Sequence, residues 1–278
     1  MKHYRYALSS AAYAPDSAPI LLKGEVCDNL RKARELGYDA IEIHMRETDS
    51  MDIKKVLRTM EETGVRIAMV VTGRLNTEGG CSLLDDRPYA MKAAVEGAMQ
   101  YIDLASSLGA DLVIGWLIGN IPAGALCRKH YMDRLAANFQ LLSDYGLKKH
   151  VRINVEVINH YEVNVFTTVK SLMDFKREYH LENFYAHLDT FHMNIDESSL
   201  VDAVRTGGSN IGYVHLADNT RHYPGSGMIN FRSILRALDE AGYDGYLSVE
   251  CFPIPSGEDA AIRALPYLKG IEQALSEE

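Results

Sequence analysis

Residues 91–117, MKAAVEGAMQYIDLASSLGADLVIGWL, join a long alanine-rich segment to a short apolar run through a single glycine. The segment from 91 to 108 has the length and composition of a helix. Gly109 follows at the position where a left-handed residue often ends a helix. The run at 112–117 indicates a buried strand. This order of helix, glycine and strand is the unit from which we predict the fold.

Similar helix-to-strand turns occur elsewhere in the chain. Gly37, Gly64 and Gly242 each follow a helical stretch and precede an apolar run. Short runs rich in β-forming residues lie at 4–8, 40–44, 66–71, 112–117, 152–158, 185–189, 213–217 and 247–251. Longer segments with helical spacing separate them, which predicts alternating strands and helices throughout.

Eight alternating units of this kind have one favoured arrangement. Parallel strands need crossover connections, the crossovers are right-handed, and eight of them close into a barrel. We therefore predict an α/β fold, a (β/α)8 TIM barrel, with residues 1–278 as one domain. An open doubly wound sheet is the alternative, and the lack of a glycine fingerprint after the first run weakens it.

The composition argues against several classes of protein. The chain has 278 residues, is 47% hydrophobic and carries a net charge of −9, which argues against a nucleic-acid partner. Its apolar runs are shorter than the ~20 residues of a membrane span, and the N-terminus lacks the apolar segment of a secretory signal. Its four cysteines are scattered without a CxxC pair, so we expect a reducing, cytoplasmic setting.

Polar side chains mark the ends of the last four apolar runs. These residues are Glu156, Asp189, His215 and Glu250. The active site of a closed barrel lies at the C-terminal ends of its strands, so we expect the four side chains to meet there. Three carboxylates and one imidazole suit Mn²⁺, Mg²⁺ or Co²⁺ better than Zn²⁺, which prefers thiolates and imidazoles. We predict one divalent metal ion at this point, with Mn²⁺ as the first choice.

The segments that carry these residues are Glu156-Val-Ile-Asn-His-Tyr-Glu162, Leu188-Asp-Thr-Phe-His-Met-Asn-Ile195, Val214-His-Leu-Ala-Asp-Asn-Thr-Arg221 and Leu247-Ser-Val-Glu-Cys-Phe252. In them the chain resembles the sugar isomerase/epimerase superfamily with the xylose-isomerase-like barrel. Within that superfamily it is most similar to the ketose 3-epimerases of the tagatose/psicose type and to related keto-sugar epimerases. The resemblance extends over essentially the whole chain.

The resemblance implies roles for individual residues. Glu156, Asp189, His215 and Glu250 would bind the metal, and the two glutamates would also form the acid/base pair. His192 and Arg221 would hold the oxygens at carbons 1 and 2 of the substrate, and Glu162 would contact substrate or support Glu156. The family often has Arg-Tyr-Glu where this chain has His160-Tyr-Glu, a departure that affects the local substrate contact but leaves the metal ligands intact.

The chemistry of a ketose explains why two carboxylates and a metal belong together. The C2 carbonyl acidifies the proton at C3, and a metal stabilises the negative charge of the cis-enediolate that forms. One glutamate would remove the proton, and the other would return a proton to the opposite face. We therefore predict epimerisation of a ketose at C3. Trp116, Tyr6 and His44, near the ends of other runs, are further candidates for lining the pocket.

Other functions remain open from the residues alone. An aldose–ketose isomerase or a keto-inositol dehydratase would use similar ligands on the same barrel. A metal-dependent endonuclease of abasic DNA is a more remote alternative, because it needs several zinc ions and a basic face. A sugar-binding protein without catalysis is the third. We expect a small-molecule sugar as the substrate, no membrane partner, and a homodimer or homotetramer as possible assemblies.

Overall fold

The computed structural model describes residues 3–49 and 51–277, and its parallel strands form a closed barrel. The strands are β1 (Arg5–Ala11), β2 (Leu22–Lys23), β3 (Ala40–His44), β4 (Arg66–Val71), β5 (Asp111–Ile114), β6 (Ile153–Glu156), β7 (Phe184–Asp189), β8 (Ile211–Leu216) and β9 (Tyr246–Val249). Consecutive strands from β3 to β9 pair in parallel, and β1 closes the ring by pairing with both β3 and β9. The short β2 pairs with the last residues of β1.

Helices connect the strands and cover the outside of the barrel. They are α1 (Val26–Glu35), α2 (Ile53–Thr63), α3 (Gly73–Thr77), α4 (Pro88–Leu108), α5 (Arg128–Lys149), α6 (Val169–Glu178), α7 (Thr190–Asp196), α8 (Leu200–Gly207), α9 (Phe231–Glu240) and α10 (Gly257–Ser276). Two 3-10 helices lie at Trp116–Ile118 and Gly208–Asn210. Within the described residues, none of these helices has the length and apolar character needed to cross a membrane.

The predicted TIM barrel is confirmed, and each of the eight apolar runs overlaps a barrel strand. Gly64 and Gly109 end α2 and α4 with φ angles of 72° and 65°, as their positions in the sequence predict. The fourth run is shorter than expected. Its strand ends at Ile114, and Trp116 belongs to the following 3-10 helix rather than to the strand.

The alternation of side chains along each strand divides the core in two. Side chains on one face, such as Leu8 and Ile41, pack against the helices in the large outer core. Those on the other face, such as Ala7, Ala40 and Tyr213, form a smaller cluster inside the barrel. Polar residues that share this inward face rise towards the C-terminal ends of the strands, where the candidate site lies.

Candidate metal centre and active site

The structure brings the four predicted metal ligands together. Glu156 and Asp189 end β6 and β7, His215 lies one residue before the end of β8, and Glu250 directly follows β9. One ligand atom from each residue lies within 4.8 Å of the others. Hard divalent ions bind oxygen ligands at about 2.0–2.6 Å, so two ligands of one ion stand at most about twice that distance apart. The spacing therefore fits one shared ion.

Two buried atoms of this quartet have no hydrogen-bond partner among residues 3–49 and 51–277. They are Nδ1 of His215 and Oδ2 of Asp189. Nδ1 of His215 lies 3.8 Å from Oδ2 of Asp189, 3.8 Å from Oε1 of Glu156 and 3.4 Å from Oε2 of Glu250. Buried polar atoms are nearly always paired, so two unpaired lone-pair donors that face each other indicate a site for a cation. The residues present thus fit a divalent metal ion.

A buried glutamate that the sequence prediction missed fixes the His215 ring. Oε2 of Glu42 lies 2.9 Å from Nε2 of His215 and also accepts the hydroxyl of Tyr213 at 2.8 Å. Its other oxygen, Oε1, lies 3.0 Å from Nε2 of His44. A carboxylate that accepts the Nε2 proton leaves the Nδ1 lone pair free to bind a metal. The signal in the sequence is a charged residue between Ile41 and Ile43, on the same strand face as His44.

Asp189 is oriented by the helix that follows it. It caps α7, and its Oδ1 accepts the backbone N–H groups of Phe191 at 2.7 Å and His192 at 3.4 Å. Since Oδ1 is occupied, only Oδ2 remains for a cation. The His192 side chain lies beside it, with Nε2 3.8 Å from Oδ2.

Glu156 occupies space that exists only because residue 115 is glycine. A β-carbon on Gly115 would lie 2.3 Å from Oε2 of Glu156, well inside van der Waals contact. The glycine directly follows β5 and allows the carboxylate of the neighbouring strand to turn over the barrel mouth. The position of Glu156 therefore depends on a residue outside the quartet.

The two glutamates have pKa values that move in opposite directions. Burial raises the pKa of Glu156 well above its usual value, and the nearby carboxylates of Glu250 and Asp189 add to this effect. Burial also acts to raise the pKa of Glu250, but His215 and Arg221 outweigh it and the pKa falls. In the metal-free protein the two carboxyl groups therefore differ in their affinity for a proton.

The predicted substrate residue His192 is held in a defined tautomer. Its Nδ1 lies 2.6 Å from Nδ2 of Asn159, and Oδ1 of Asn159 accepts the backbone N–H of Tyr161 at 3.0 Å. The amide therefore presents its NH₂ group to the ring, so Nδ1 accepts and Nε2 carries the proton. Burial lowers the pKa of His192 and favours this neutral form. Asn159, which the sequence prediction missed, thereby aims an N–H donor towards Asp189 and the cavity.

Arg221 reaches the quartet from a loop built around a buried aspartate. Asp218 accepts the backbone N–H groups of Gly225 at 3.0 Å, Gly227 at 2.8 Å and Ile229 at 3.0 Å. Arg221 has a φ of 59°, and its Nη2 lies 3.3 Å from Oε2 of Glu250. Its Nη1 lies 3.7 Å from Oε1 of Glu162, so the guanidinium bridges the quartet and the predicted substrate residue.

A cavity of about 590 Å³ opens over these groups. Its walls include three quartet members, Glu156, His215 and Glu250, and five other residues predicted to contact substrate, His44, Trp116, Glu162, His192 and Arg221. Asp189 is fully buried beneath them. Trp116 is 40% exposed on the 3-10 helix, so it forms part of the wall rather than of the barrel core.

Tyr6 is a correction to the sequence prediction, because it does not line this cavity. It is the second residue of β1, and β1 continues to Ala11. Its side chain also points outward, opposite to that of Ala7, and its hydroxyl lies 3.3 Å from Oε2 of Glu272 in α10. Tyr6 therefore packs between the barrel and a helix, near the N-terminal ends of the strands.

His160, where the chain departs from the family pattern, lies away from the quartet. Asp196, at the end of α7, accepts the backbone N–H of His160 at 2.7 Å and pairs with its Nδ1. The contact anchors the loop between β6 and α6, and the cavity wall at this point is formed by Glu162 instead.

Comparisons with known proteins agree with this geometry. The family described as xylose isomerase-like TIM barrel matches residues 30–271. An L-ribulose 3-epimerase of Methylomonas sp. (strain DH-1) is 30% identical over 223 residues, 79% of this chain and 76% of the relative. A ketose 3-epimerase of Arthrobacter globiformis is 28% identical over 232 residues, 81% of this chain and 76% of the relative.

A solved structure is similar to this chain over nearly its whole length. The D-allulose 3-epimerase from Methylomonas sp. in complex with D-allulose has a TM-score of 0.79 at 25% identity, covering 97% of this chain and 98% of that chain. The family match and the solved structure both extend over most of the chain. The chain therefore belongs to the xylose isomerase-like TIM barrel family.

Proposed function

We propose that this chain is a divalent-metal-dependent sugar epimerase that inverts a ketose at C3. The observation that carries the proposal is the quartet itself, in which two glutamates from strands that are not neighbours flank one cation site beneath a cavity. The relatives named as L-ribulose 3-epimerase and ketose 3-epimerase support the same reaction. The enzyme is accordingly an isomerase that acts on carbohydrates.

Glu156, Asp189, His215 and Glu250 would hold the metal ion, and their oxygen-rich set favours Mn²⁺ over Zn²⁺. When bound, the ion supplies a Lewis acid that polarises the C2 carbonyl and stabilises negative charge on its oxygen. The cellular setting that we propose is the reducing cytoplasm. Its support is that Cys27, Cys81, Cys127 and Cys251 are all free thiols.

The proton transfers belong to the two glutamates. One of Glu156 and Glu250 removes the C3 proton, and the other donates a proton to the opposite face of C3. Glu156 extends from β6 and Glu250 from β9, which are not neighbours in the sheet, so the carboxyl groups approach a bound sugar from different sides. The roles exchange when the reaction runs in reverse.

Two further groups fix the position of the substrate relative to the two glutamates. The Nε2–H of His192 faces the quartet, and the guanidinium of Arg221 offers several donors above Glu250. Both donate hydrogen bonds to the oxygens at C1 and C2, which keeps C3 between the two glutamates. Fixing the reacting carbon in this way supplies much of the advantage of an enclosed site.

The test is a panel of free ketoses incubated with the Mn²⁺-loaded protein in D₂O. We expect the C3 proton to exchange with deuterium and the C3 epimer to accumulate, both followed by NMR. Removal of the metal with a chelator should stop both processes, and added Mn²⁺ should restore them. If hydrogen moves only between C1 and C2, the protein is an aldose–ketose isomerase and the proposal is wrong.

A further inference from the structure

The cavity extends well beyond the metal centre. Its inner wall consists of the quartet and its neighbours, whereas its outer wall is formed by the loop between β1 and β2 and by α3. The outer residues are Tyr13, Ala14, Pro15, Ala18, Arg74 and Thr77. None of them takes part in the chemistry proposed above, so this half of the cavity needs its own explanation.

The size of the cavity exceeds what a free ketose requires. Pockets of about 300–1,000 Å³ typically enclose drug-sized ligands, and this one measures about 590 Å³. Carbons 1 to 3 of a ketose would occupy the inner wall between Glu156, Glu250 and Arg221. The remaining two or three carbons of a pentulose or hexulose would point outward and would fill only part of the space beside the outer wall.

The chemistry of the outer wall suits a sugar ring. Tyr13 is 71% exposed on this wall, and small apolar residues continue the surface beside it. Aromatic faces with small apolar neighbours pack against the C–H faces of carbohydrate rings, while a few polar side chains such as Thr77 set orientation.

The charge of the outer wall argues against a phosphate group. Arg74 carries the positive charge of this wall, and the carboxylate of Glu78, which also lines the cavity, balances that charge. Nε pairs with Oε1 of Glu78, and Nη1 donates to the backbone oxygen of Tyr13 at 3.0 Å. A phosphate is bound best by a cation whose charge is not already balanced by a carboxylate, whereas a neutral sugar ring needs no such cation.

The outer wall is already held in place before any ligand binds. The Arg74–Tyr13 contact ties the loop to α3. Ser9 anchors the far end of the loop, because its hydroxyl donates to the Pro19 oxygen at 2.9 Å and accepts the Leu21 N–H at 3.2 Å. A preformed wall loses little conformational freedom on binding, so its shape is a guide to what it binds.

We propose that this outer wall is a subsite for a second sugar ring, and that the substrate is a ketose glycosylated on its outward end rather than a free ketose. The inference rests on the proposed function, because it uses the quartet to define which end of the ketose points outward. It assigns Tyr13 as the residue that packs against the second ring.

The experiment compares kcat/KM for C3 exchange on three substrates with the Mn²⁺-loaded protein. These are fructose, 6-O-glucosyl-fructose and fructose 6-phosphate. We expect the glycosylated ketose to be preferred over fructose by about tenfold or more, which is the gain expected from one well-packed aromatic contact. In Tyr13→Ala this ratio should fall back by about the same factor.

Two further variants sharpen the comparison. Ala18→Trp fills the outer wall and should also lower the ratio, which separates occupancy of the subsite from any effect particular to Tyr13. Tyr89→Ala is the matched control, because Tyr89 is 70% exposed in α4 and lies outside the cavity wall. It should leave the ratio unchanged, and thermal unfolding of each variant confirms that it folds.

The possible results distinguish a failure of the subsite proposal from a failure of the proposed epimerase function. Equal kcat/KM for fructose and its glucoside, or a preference for fructose 6-phosphate over both, would overturn the subsite while leaving the epimerase intact. A preference that survives in both Tyr13→Ala and Ala18→Trp would also overturn it. If no ketose of any kind exchanges at C3, the proposed function fails first and the subsite falls with it.

Discussion

Nε2 of His215 lies 2.9 Å from Oε2 of Glu42, so the imidazole at the candidate metal site is oriented by a carboxylate two strands beyond the quartet. Glu42 comes from β3 and His215 from β8, and β9 and β1 lie between these two strands in the ring. The same carboxylate binds Tyr213 and His44, and His187 packs edge-on against the His215 ring at 4.0 Å. The orientation of Nδ1 is therefore a property of the barrel interior.

Replacement of Glu42 should weaken metal binding without removing a ligand. In Glu42→Gln the neutral amide no longer accepts the Nε2 proton as strongly, so the Nδ1 lone pair becomes a poorer donor. We expect the Kd for Mn²⁺ to rise by about 10- to 100-fold, measured by isothermal titration calorimetry.

The control for this change is Glu61→Gln, which alters an exposed glutamate on α2. It should bind Mn²⁺ as the unaltered protein does. If Glu42→Gln binds Mn²⁺ with unchanged affinity and unfolds at the same temperature, Glu42 does not orient His215.

Gly115 should be intolerant of even the smallest side chain. In Gly115→Ala the new β-carbon would lie 2.3 Å from Oε2 of Glu156, and the carboxylate must move away. A displacement of about 1 Å can cost about 100-fold in rate, so we expect kcat to fall by roughly that factor. The measurement is the rate of C3 exchange with the preferred ketose.

Gly270→Ala is the matched control, because a β-carbon there meets nothing within 4 Å in the interior of α10. Relative to glycine, alanine in a helix adds about 0.5–1 kcal/mol of stability, and activity should not change. Normal kcat in Gly115→Ala would show that the position of Glu156 is not critical.

The two glutamates should separate the half-reactions. Glu156→Gln and Glu250→Gln should each lose about 10²- to 10⁴-fold in epimerisation, as expected for loss of a general acid or base. Each variant retains one carboxylate of the acid/base pair, so it should still exchange the C3 proton of one epimer with D₂O while forming little of the other. NMR detects both processes in one sample. Full epimerisation by both variants would exclude these residues from proton transfer.

The barrel and the quartet are predictable from the sequence because each depends on a local pattern. Glu156, Asp189 and Glu250 each follow an apolar run, and parallel strands bring such ends together. The roles of Glu42 and Asn159 are not predictable in this way, because their partners His215 and His192 lie far away in sequence. A hydrogen bond between residues far apart in sequence produces no periodic pattern in the sequence.

Tyr6 shows a different limit. Whether a strand residue lines the mouth of a barrel depends on where its strand ends and on which face it occupies. The run at 4–8 marks the strand correctly, but β1 continues to Ala11, which places Tyr6 near the opposite end. Neighbouring residues of a strand also point to opposite faces of the sheet. Tyr6 therefore faces α10, and Ala7 faces the barrel interior.

Metal binding should compete with protons at His215. Burial acts to lower the pKa of His215, but Glu42 and Glu250 outweigh it and raise the pKa well above its usual value. We therefore expect His215 to hold a proton more tightly than a free imidazole does when no metal is bound, and that proton must leave when a cation binds. Affinity for Mn²⁺ should rise with pH, by up to about tenfold per unit for each proton released.

Calorimetry in two buffers with different ionisation enthalpies tests this directly. The apparent binding enthalpy should differ between them in proportion to the protons released at each pH. A binding enthalpy that is the same in both buffers near neutral pH would mean that His215 is already neutral before the cation arrives.

Asp218 should act on substrate binding through Arg221 rather than through the metal. Its carboxylate holds Gly225, Gly227 and Ile229 and so shapes the loop that carries the arginine. In Asp218→Ala these N–H groups lose their acceptor, each at a cost of about 1–3 kcal/mol if left unpaired, and the loop should rearrange. We expect kcat/KM to fall by about 10- to 100-fold, whereas Mn²⁺ affinity should change far less because Asp218 lies outside the quartet.

A loss of kcat/KM with little change in Mn²⁺ affinity would distinguish a positioning role of Asp218 from general unfolding. Asp202→Ala, at an exposed aspartate of α8 that pairs with Arg205 at 3.3 Å, should leave both quantities unchanged. A parallel loss of Mn²⁺ affinity and activity in Asp218→Ala would indicate collapse of the barrel mouth instead. Retention of full kcat/KM would show that the position of Arg221 does not depend on the hydrogen bonds of Asp218.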